Sequence, residues 1–131
     1  SLPTGRNMAG INIERTPDET TFSVAQRLTE ELIEKFRQKN RRVPHRIAVT
    51  LWGGEYIRTG GLAVAQALWA MGVRPSFDKK GALRDLQIVP SEELGRPRID
   101  IVVQTSGQFR DAAPSRIELL DRAVRLIAEL Q

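Results

Sequence analysis

The stretch Ile99 to Asp111, IDIVVQTSGQFRD, restricts the fold of this chain more than any other. Ile99, Ile101, Val102 and Val103 form a short, nearly continuous β-branched run, the pattern of a strand buried on both faces of a parallel sheet. The run stops at a Ser106-Gly107 turn, around which Gln104, Thr105, Gln108, Arg110 and Asp111 crowd. In open α/β sheets ligands bind beyond the carboxyl ends of the strands, so this turn is the first site candidate.

The flanking elements agree. Residues 1–15 are rich in Gly, Pro and Asn without periodicity and read as an irregular N-terminal arm; residues 16–131 read as one α/β domain. Thr16-Pro17-Asp18-Glu19 marks a helix start, with Thr16 as N-cap and Pro17 at the first helical position. The helix runs to about Asn40 on a stripe of Ala25, Leu28, Leu32 and Phe36, widened by Val24 and Ile33. Arg46 to Trp52 is the next strand, followed by the glycine-rich connection GGEYIRTGG and a helix from Leu62 to Met71 that Gly72 ends. That helix should bury Leu62, Ala65, Leu68 and Trp69.

Val73 to Leu83 contains Pro75 and an Asp78-Lys79-Lys80-Gly81 turn, and a modest strand follows around Leu86 to Val89. Ser91 caps a single helical turn, and a last helix spans Pro114 to Leu130 on Ile117, Leu120, Val124 and Ile127. The order α-β-α-β-β-α predicts a small three-layer Rossmann-like or flavodoxin-like α/β domain with a mostly parallel sheet.

Composition narrows the function. The chain has 131 residues with 20 Lys+Arg against 16 Asp+Glu, a mild and scattered excess. Its one dense basic run, Lys35 to Arg46, lacks the interleaved aromatics that stack on bases, so it reads as a solvated helix end and no nucleic acid is expected. Without cysteine there is no disulfide or thiolate chemistry, and a cytoplasmic setting is permitted. No apolar run approaches the roughly 20 residues of a membrane span. The single His45 is too little for a metal site, and neither GxGxxG nor GxxxxGK[ST] follows the first strand, which argues against a free-standing nucleotide binder.

If the two strands are neighbours, the connections after them flank one crevice. Its candidates for a ligand or for an adjoining domain are Glu55, Arg58, Thr59, Gln108, Phe109, Arg110 and Asp111, with Tyr56 and Ser106 beside them. Thr59 reads first as the N-cap of its helix, and Asp111 fits a cap of the last helix as well as it fits the crevice. Arg110 could equally form a surface pair with Glu55 or Asp111, worth under about 1 kcal/mol. Phe109, a large apolar ring in a polar turn, must be buried against something.

Four runs carry a resemblance: LPTGRN at Leu2 to Asn7, LWGGEYIRTGGLAVAQALWAMGVRP at Leu51 to Pro75, ELGRPRID at Glu93 to Asp100 and SGQFRD at Ser106 to Asp111. Together they resemble the large subunit of the ATP-dependent metal chelatases, the family of the CobN subunit of cobaltochelatase and the H subunit of magnesium chelatase. The resemblance implies one internal segment of a much larger tetrapyrrole-binding subunit, whose partners are the rest of that subunit and AAA+ motor subunits using ATP with magnesium.

The inserted metal would be cobalt, into hydrogenobyrinic acid a,c-diamide, or alternatively magnesium, into protoporphyrin IX. Arg6 and Gly60-Gly61 are closer to the cobalt branch. Insertion calls for carboxylate or imidazole bases beside an apolar ring-shaped pocket, which Glu55 and Asp111 could serve, while Arg58 and Arg110 could pair with peripheral carboxylates. A non-catalytic scaffold, with Phe109 and Arg110 as interface anchors, is the rival reading. The segment alone is expected to bind no cofactor or metal and to catalyse nothing.

Overall fold

A computed structural model of the chain describes residues 16–51, 61–81, 83–105 and 114–130; the arm at 1–15 lies outside them. Helix α1 spans Glu19–Asn40, and its N-cap is Asp18, whose carboxylate accepts from the Thr21 amide at 2.8 Å. The cap thus falls two residues after Thr16, and Pro17 precedes the helix instead of opening it. At the other end Arg41 takes the left-handed conformation (φ 60°) and donates its N–H to the Arg37 carbonyl. The basic run beyond is exposed, with Arg42 over the Phe36 ring at 5.2 Å.

The buried face of α1 is Phe22, Ala25, Thr29 and Ile33, rotated from the expected stripe, and Leu32 is 57% exposed. The rotation follows from the neighbour. Phe22 meets Trp69 edge-on, with centroids 6.1 Å apart and planes at 84°, and that contact fixes which side of α1 turns inward.

Strand β1 (Arg46–Leu51) leads by helix α2 (Leu62–Met71) and an excursion towards strand β4 (Asp100–Thr105), which lies parallel to β1 in the register Arg46↔Asp100 to Leu51↔Thr105. The crossover through a helix is what parallel pairing requires. Ile47, Val49, Leu51, Ile101 and Val103 point into the main core; Ala48, Thr50, Val102 and Gln104 on the other face are exposed. Among the described residues β4 is therefore covered on one face, where the apolar run suggested two.

Helix α2 buries Val64, Ala65, Ala67, Leu68, Trp69, Ala70 and Met71, almost its whole circumference, as a helix packed on several sides must. Its neighbours are α1, the β1–β4 pair and the last helix.

Between α2 and β4 the chain forms an antiparallel hairpin, β2 (Val73–Phe77) with β3 (Leu83–Ile88), a sheet separate from the parallel pair. Strand β2 lies in a stretch to which the sequence assigns no strand, and Pro75 is harmless where it sits. Val89 N donates to Gly72 O at 2.8 Å, so by the alternation of the ladder Pro75 and its partner Leu86 form a non-hydrogen-bonded pair. The missing N–H of proline forfeits no bond there.

A single turn, α3 (Ser91–Leu94), follows with Pro90 in the cap position and Ser91 already helical. Helix α4 (Pro114–Ala128) buries Arg116, Leu119, Leu120 and Ala123, again rotated from the expected stripe, and Val124 is 46% exposed. Arg116 Nη1 donates to the Thr16 carbonyl at 2.7 Å, tying the last helix to the start of the first.

Candidate functional site

The carboxyl ends of β1 and β4 lie side by side, Leu51 opposite Thr105, at the roughly 4.8 Å spacing of paired strands. The connections 52–60 and 106–113 consequently leave the sheet next to each other at one pole. Glu55, Arg58, Thr59, Gln108, Phe109, Arg110 and Asp111 all belong to these two connections and lie outside the described residues. The structure brings together the strand ends that carry them.

The helices that follow each connection, α2 and α4, both start at this pole, where a helix N-terminus adds partial positive charge. Gly61, in the left-handed conformation (φ 87°), occupies the N-cap of α2 without a side-chain hydrogen bond. The capping role expected of Thr59 is thereby taken, since only the residue before the first helical one can fill it.

The opposite pole holds a group of residues that sequence reasoning did not single out. Here α2 ends, and its last carbonyls are met by two arginines of the GRPRID run. Arg96 donates Nη2 to Trp69 O (2.9 Å) and Nη1 to Ala70 O (3.2 Å); Arg98 donates Nη1 to Met71 O (3.2 Å) and Gly72 O (2.9 Å), and Nη2 to Val89 O (2.5 Å). Ile99 N also reaches Ala70 O at 3.0 Å, and Gly72 N bonds back to Leu68 and Trp69. The carbonyls of a helix C-terminus are its electron-rich, unsatisfied end, and two guanidiniums answer both the hydrogen-bonding deficit and the dipole.

Glu30 of α1 completes this pole. One oxygen, Oε2, accepts from Arg96 Nε and from Trp69 Nε1, both at 2.7 Å. The Arg96 side chain is only 7% exposed, and its guanidinium lies 5.8 Å from the Trp69 ring, with that of Arg74 5.9 Å away. The sequence signal was present: arginines two apart around a proline, an arrangement that holds the backbone extended and points both side chains the same way. Their partners are backbone carbonyls, which leave no mark in a sequence.

Two further features complete the electrostatics. Asp85 on β3 has its carboxyl held below the ordinary aspartate value, first by the Leu86 amide and then by Arg122 of α4. His45, exposed at the start of β1, sits at the pole away from the two connections, its carbonyl accepting from Asp100 N at 3.0 Å. Among the described residues no three His, Cys, Asp or Glu side chains are grouped to hold a metal ion, and no helix is long and apolar enough to cross a membrane.

Comparison with known proteins gives this geometry its context. The family model described as CobN/Magnesium Chelatase matches residues 1–131. The chain is 42% identical over 130 residues to the magnesium-chelatase subunit ChlH of Oryza sativa subsp. indica, covering 98% of this chain and 9% of that protein. It is 38% identical over 128 residues to the aerobic cobaltochelatase subunit CobN of Sinorhizobium sp, covering 97% and 10%.

The catalytic subunit of cobaltochelatase from Mycobacterium tuberculosis superposes with a TM-score of 0.84 at 36% identity, over 87% of this chain and 10% of that one. The chain thus spans about a tenth of the length of the relatives it matches. A match over the full length, relatives in both branches and a shared backbone place the chain in the CobN/magnesium chelatase family.

Proposed function

We propose that this chain is a segment of the tetrapyrrole-binding large subunit of an ATP-dependent metal chelatase, and that the pole where β1 and β4 end faces the substrate. The observation that supports it is the parallel, in-register pairing of those strands, which sends two polar connections out from adjacent points. That is the location at which open α/β sheets take their ligands.

Insertion of a metal into a tetrapyrrole removes two pyrrole N–H protons and strips water from the incoming cation. In the proposed arrangement Glu55 and Asp111 receive protons, and Arg58 and Arg110 hold the peripheral carboxylates by charge-assisted hydrogen bonds. Thr59 and Gln108 supply polar contacts at the rim, and Phe109 presents apolar surface to the ring. The positive ends of α2 and α4 favour the same anionic groups.

Cobalt, inserted into hydrogenobyrinic acid a,c-diamide, is the metal we assign, on Arg6 and Gly60-Gly61. Magnesium insertion into protoporphyrin IX is the second reading, favoured by the 42% identity to the rice subunit. A cytoplasmic setting and AAA+ partners that hydrolyse ATP with magnesium belong to the same proposal. The test is to assemble the intact large subunit with its motor subunits and ATP, and to offer each metal with each tetrapyrrole. Cobalt insertion into the diamide alone is expected; magnesium insertion into protoporphyrin IX would transfer the assignment to the second reading.

A further inference from the structure

The three long helices form a layer wider than the strands they cover. Helix α2 lies in the middle with α1 and α4 packed on either side of it. At about 9 Å between packed axes the layer spans roughly 18 Å, whereas two paired strands are only about 5 Å apart. The overhang shows as exposed apolar side chains: Leu32 on α1 and Val124 on α4.

Beneath the overhang at α1 runs a groove of about 310 Å³ beside β1, lined by Thr29, Leu32, Ile47, Thr50, Ala63 and Gln66 among others. Two sets of polar groups along it await partners. Because Asp100 N donates to His45 O, the alternation of a strand directs the backbone N–H and C=O of Arg46, Ala48 and Thr50 away from β4; among the described residues no strand pairs with that edge. Thr29, 3% exposed inside an otherwise apolar stripe, has a hydroxyl oxygen without a hydrogen-bond partner. A buried polar group left so is costly, as is a strand edge open beside apolar surface.

We propose that the outer edge of β1 takes up an additional strand, contributed by a part of the same large subunit beyond these 131 residues. The relatives are about ten times longer, so most of the polypeptide that could supply such a strand lies outside this segment. The incoming backbone pairs with Ala48 and Thr50, its alternate side chains fill the groove over Leu32 and Ala63, and a polar group on it meets Thr29. The sheet thereby widens to match its helices. This inference rests on the proposed reading of the chain as a segment of the large subunit and not on the metal or the tetrapyrrole.

Hydrogen exchange with single-residue resolution, on the intact large subunit, tests it. The Ala48 and Thr50 amides are expected to exchange roughly 100-fold more slowly than unstructured amides, like the inward-pointing Ile47 and Val49. Exchange of Ala48 and Thr50 at unprotected rates, beside protected Ile47 and Val49, overturns the proposal.

A photoreactive amino acid placed at Leu32 identifies the occupant, with subunits of two isotopic compositions mixed to mark the source. Attachment to a peptide of the same polypeptide outside the 131 residues supports the proposal. Attachment within the 131 residues, attachment to a second copy, or no attachment overturns it. Leu32→Asp should then speed exchange of Ala48 and Thr50 at least tenfold while sparing Ile47 and Val49, and equal rates in this variant count against the groove as the seat.

Discussion

Arginines mark both ends of the β1–β4 pair, holding helix carbonyls at one and proposed to serve a ligand at the other. At the amino end Arg96 and Arg98 are enclosed, their donors spent on the carbonyls that finish α2 and, for Arg96, on Glu30. At the carboxyl end Arg58 and Arg110 belong to the connections 52–60 and 106–113, outside the described residues. Both pairs occur in runs that mark the family, so membership of such a run does not tell a structural arginine from a functional one. The pole offers a criterion: where helices end and strands begin, Arg96 and Arg98 close the fold, and beyond the strand ends, where open α/β sheets take their ligands, Arg58 and Arg110 are proposed to serve one.

The strongest way to break this contrast is Gly72→Ala. Gly72 holds φ +80°, and a Cβ there would stand 2.1 Å from Arg98 Nη1. Left-handed strain and displacement of Arg98 together should remove about 3 kcal/mol or more from the urea unfolding free energy. In an Arg98→Ala background the extra cost should shrink, which a double-mutant cycle would read. Undiminished cost there would dissociate the glycine from the arginine.

Next in size is Arg96→Ala, expected to lower stability by about 2 kcal/mol, because it removes a charged donor from Glu30 and from the Trp69 and Ala70 carbonyls, leaving each with one other donor. Arg96→Lys should recover little, since one ammonium cannot span the positions of a planar fork. Gly95→Ala calibrates both. Gly95 shares the left-handed conformation (φ +71°) with nothing within 4 Å of an added Cβ, so the backbone term alone, about 1 kcal/mol, should appear.

At the other pole Arg110→Ala should change the melting temperature little, a stability loss under about 1 kcal/mol. Metal insertion by the intact assembly should fall at least about tenfold, because a partner left buried and unpaired in a closed cleft is costly. Normal insertion would return Arg110 to a surface pair and remove the functional half of the contrast. Glu55→Gln, assayed the same way, tests the facing connection.

The smallest effect belongs to neither pole. Asp85 titrates below the ordinary aspartate value, so its contribution is complete above the unfolded-state pKa and is lost as pH falls through the folded one. Asp85→Asn should flatten the acid limb of the stability curve from roughly pH 4 downward, with no change at neutral pH beyond the lost pair. An unaltered limb would assign the acid dependence to other carboxylates.

Much of this architecture is legible in the sequence, for identifiable reasons. The bounds of helix α2 read correctly because its segment is apolar but for Gln66 and Gly72 stops it, whereas its N-cap is Gly61 and not Thr59. The β4 run reads as a strand because β-branched residues leave little else, yet the number of faces it buries depends on layers the run does not encode. Strand β2 is hidden by Pro75, whose cost depends on a hydrogen-bonding phase set by the partner strand. The stripes of α1 and α4 lie a fraction of a turn from the expected ones, since Leu32 and Val124 look more apolar than Thr29 and Arg116, which are buried while those two are exposed. For the candidate site, the pairing of the strands that carry it follows from the fold, and the side-chain roles are matters for the variants above.

Trp69 gives the molecule a property of another kind. Its indole is held between a carboxylate that accepts its N–H and two guanidiniums near its ring, and it is almost wholly enclosed. The other tryptophan, Trp52, is the residue that follows β1, in the connection at the opposite pole. The chain therefore carries one intrinsic fluorophore for each end of its parallel strands. Trp52→Phe isolates the emission of the pole that closes the fold, and Trp69→Phe isolates that of the pole where substrate is proposed to arrive. Loosening of one end as this chain alone unfolds in urea would then be visible optically while the other stays dark.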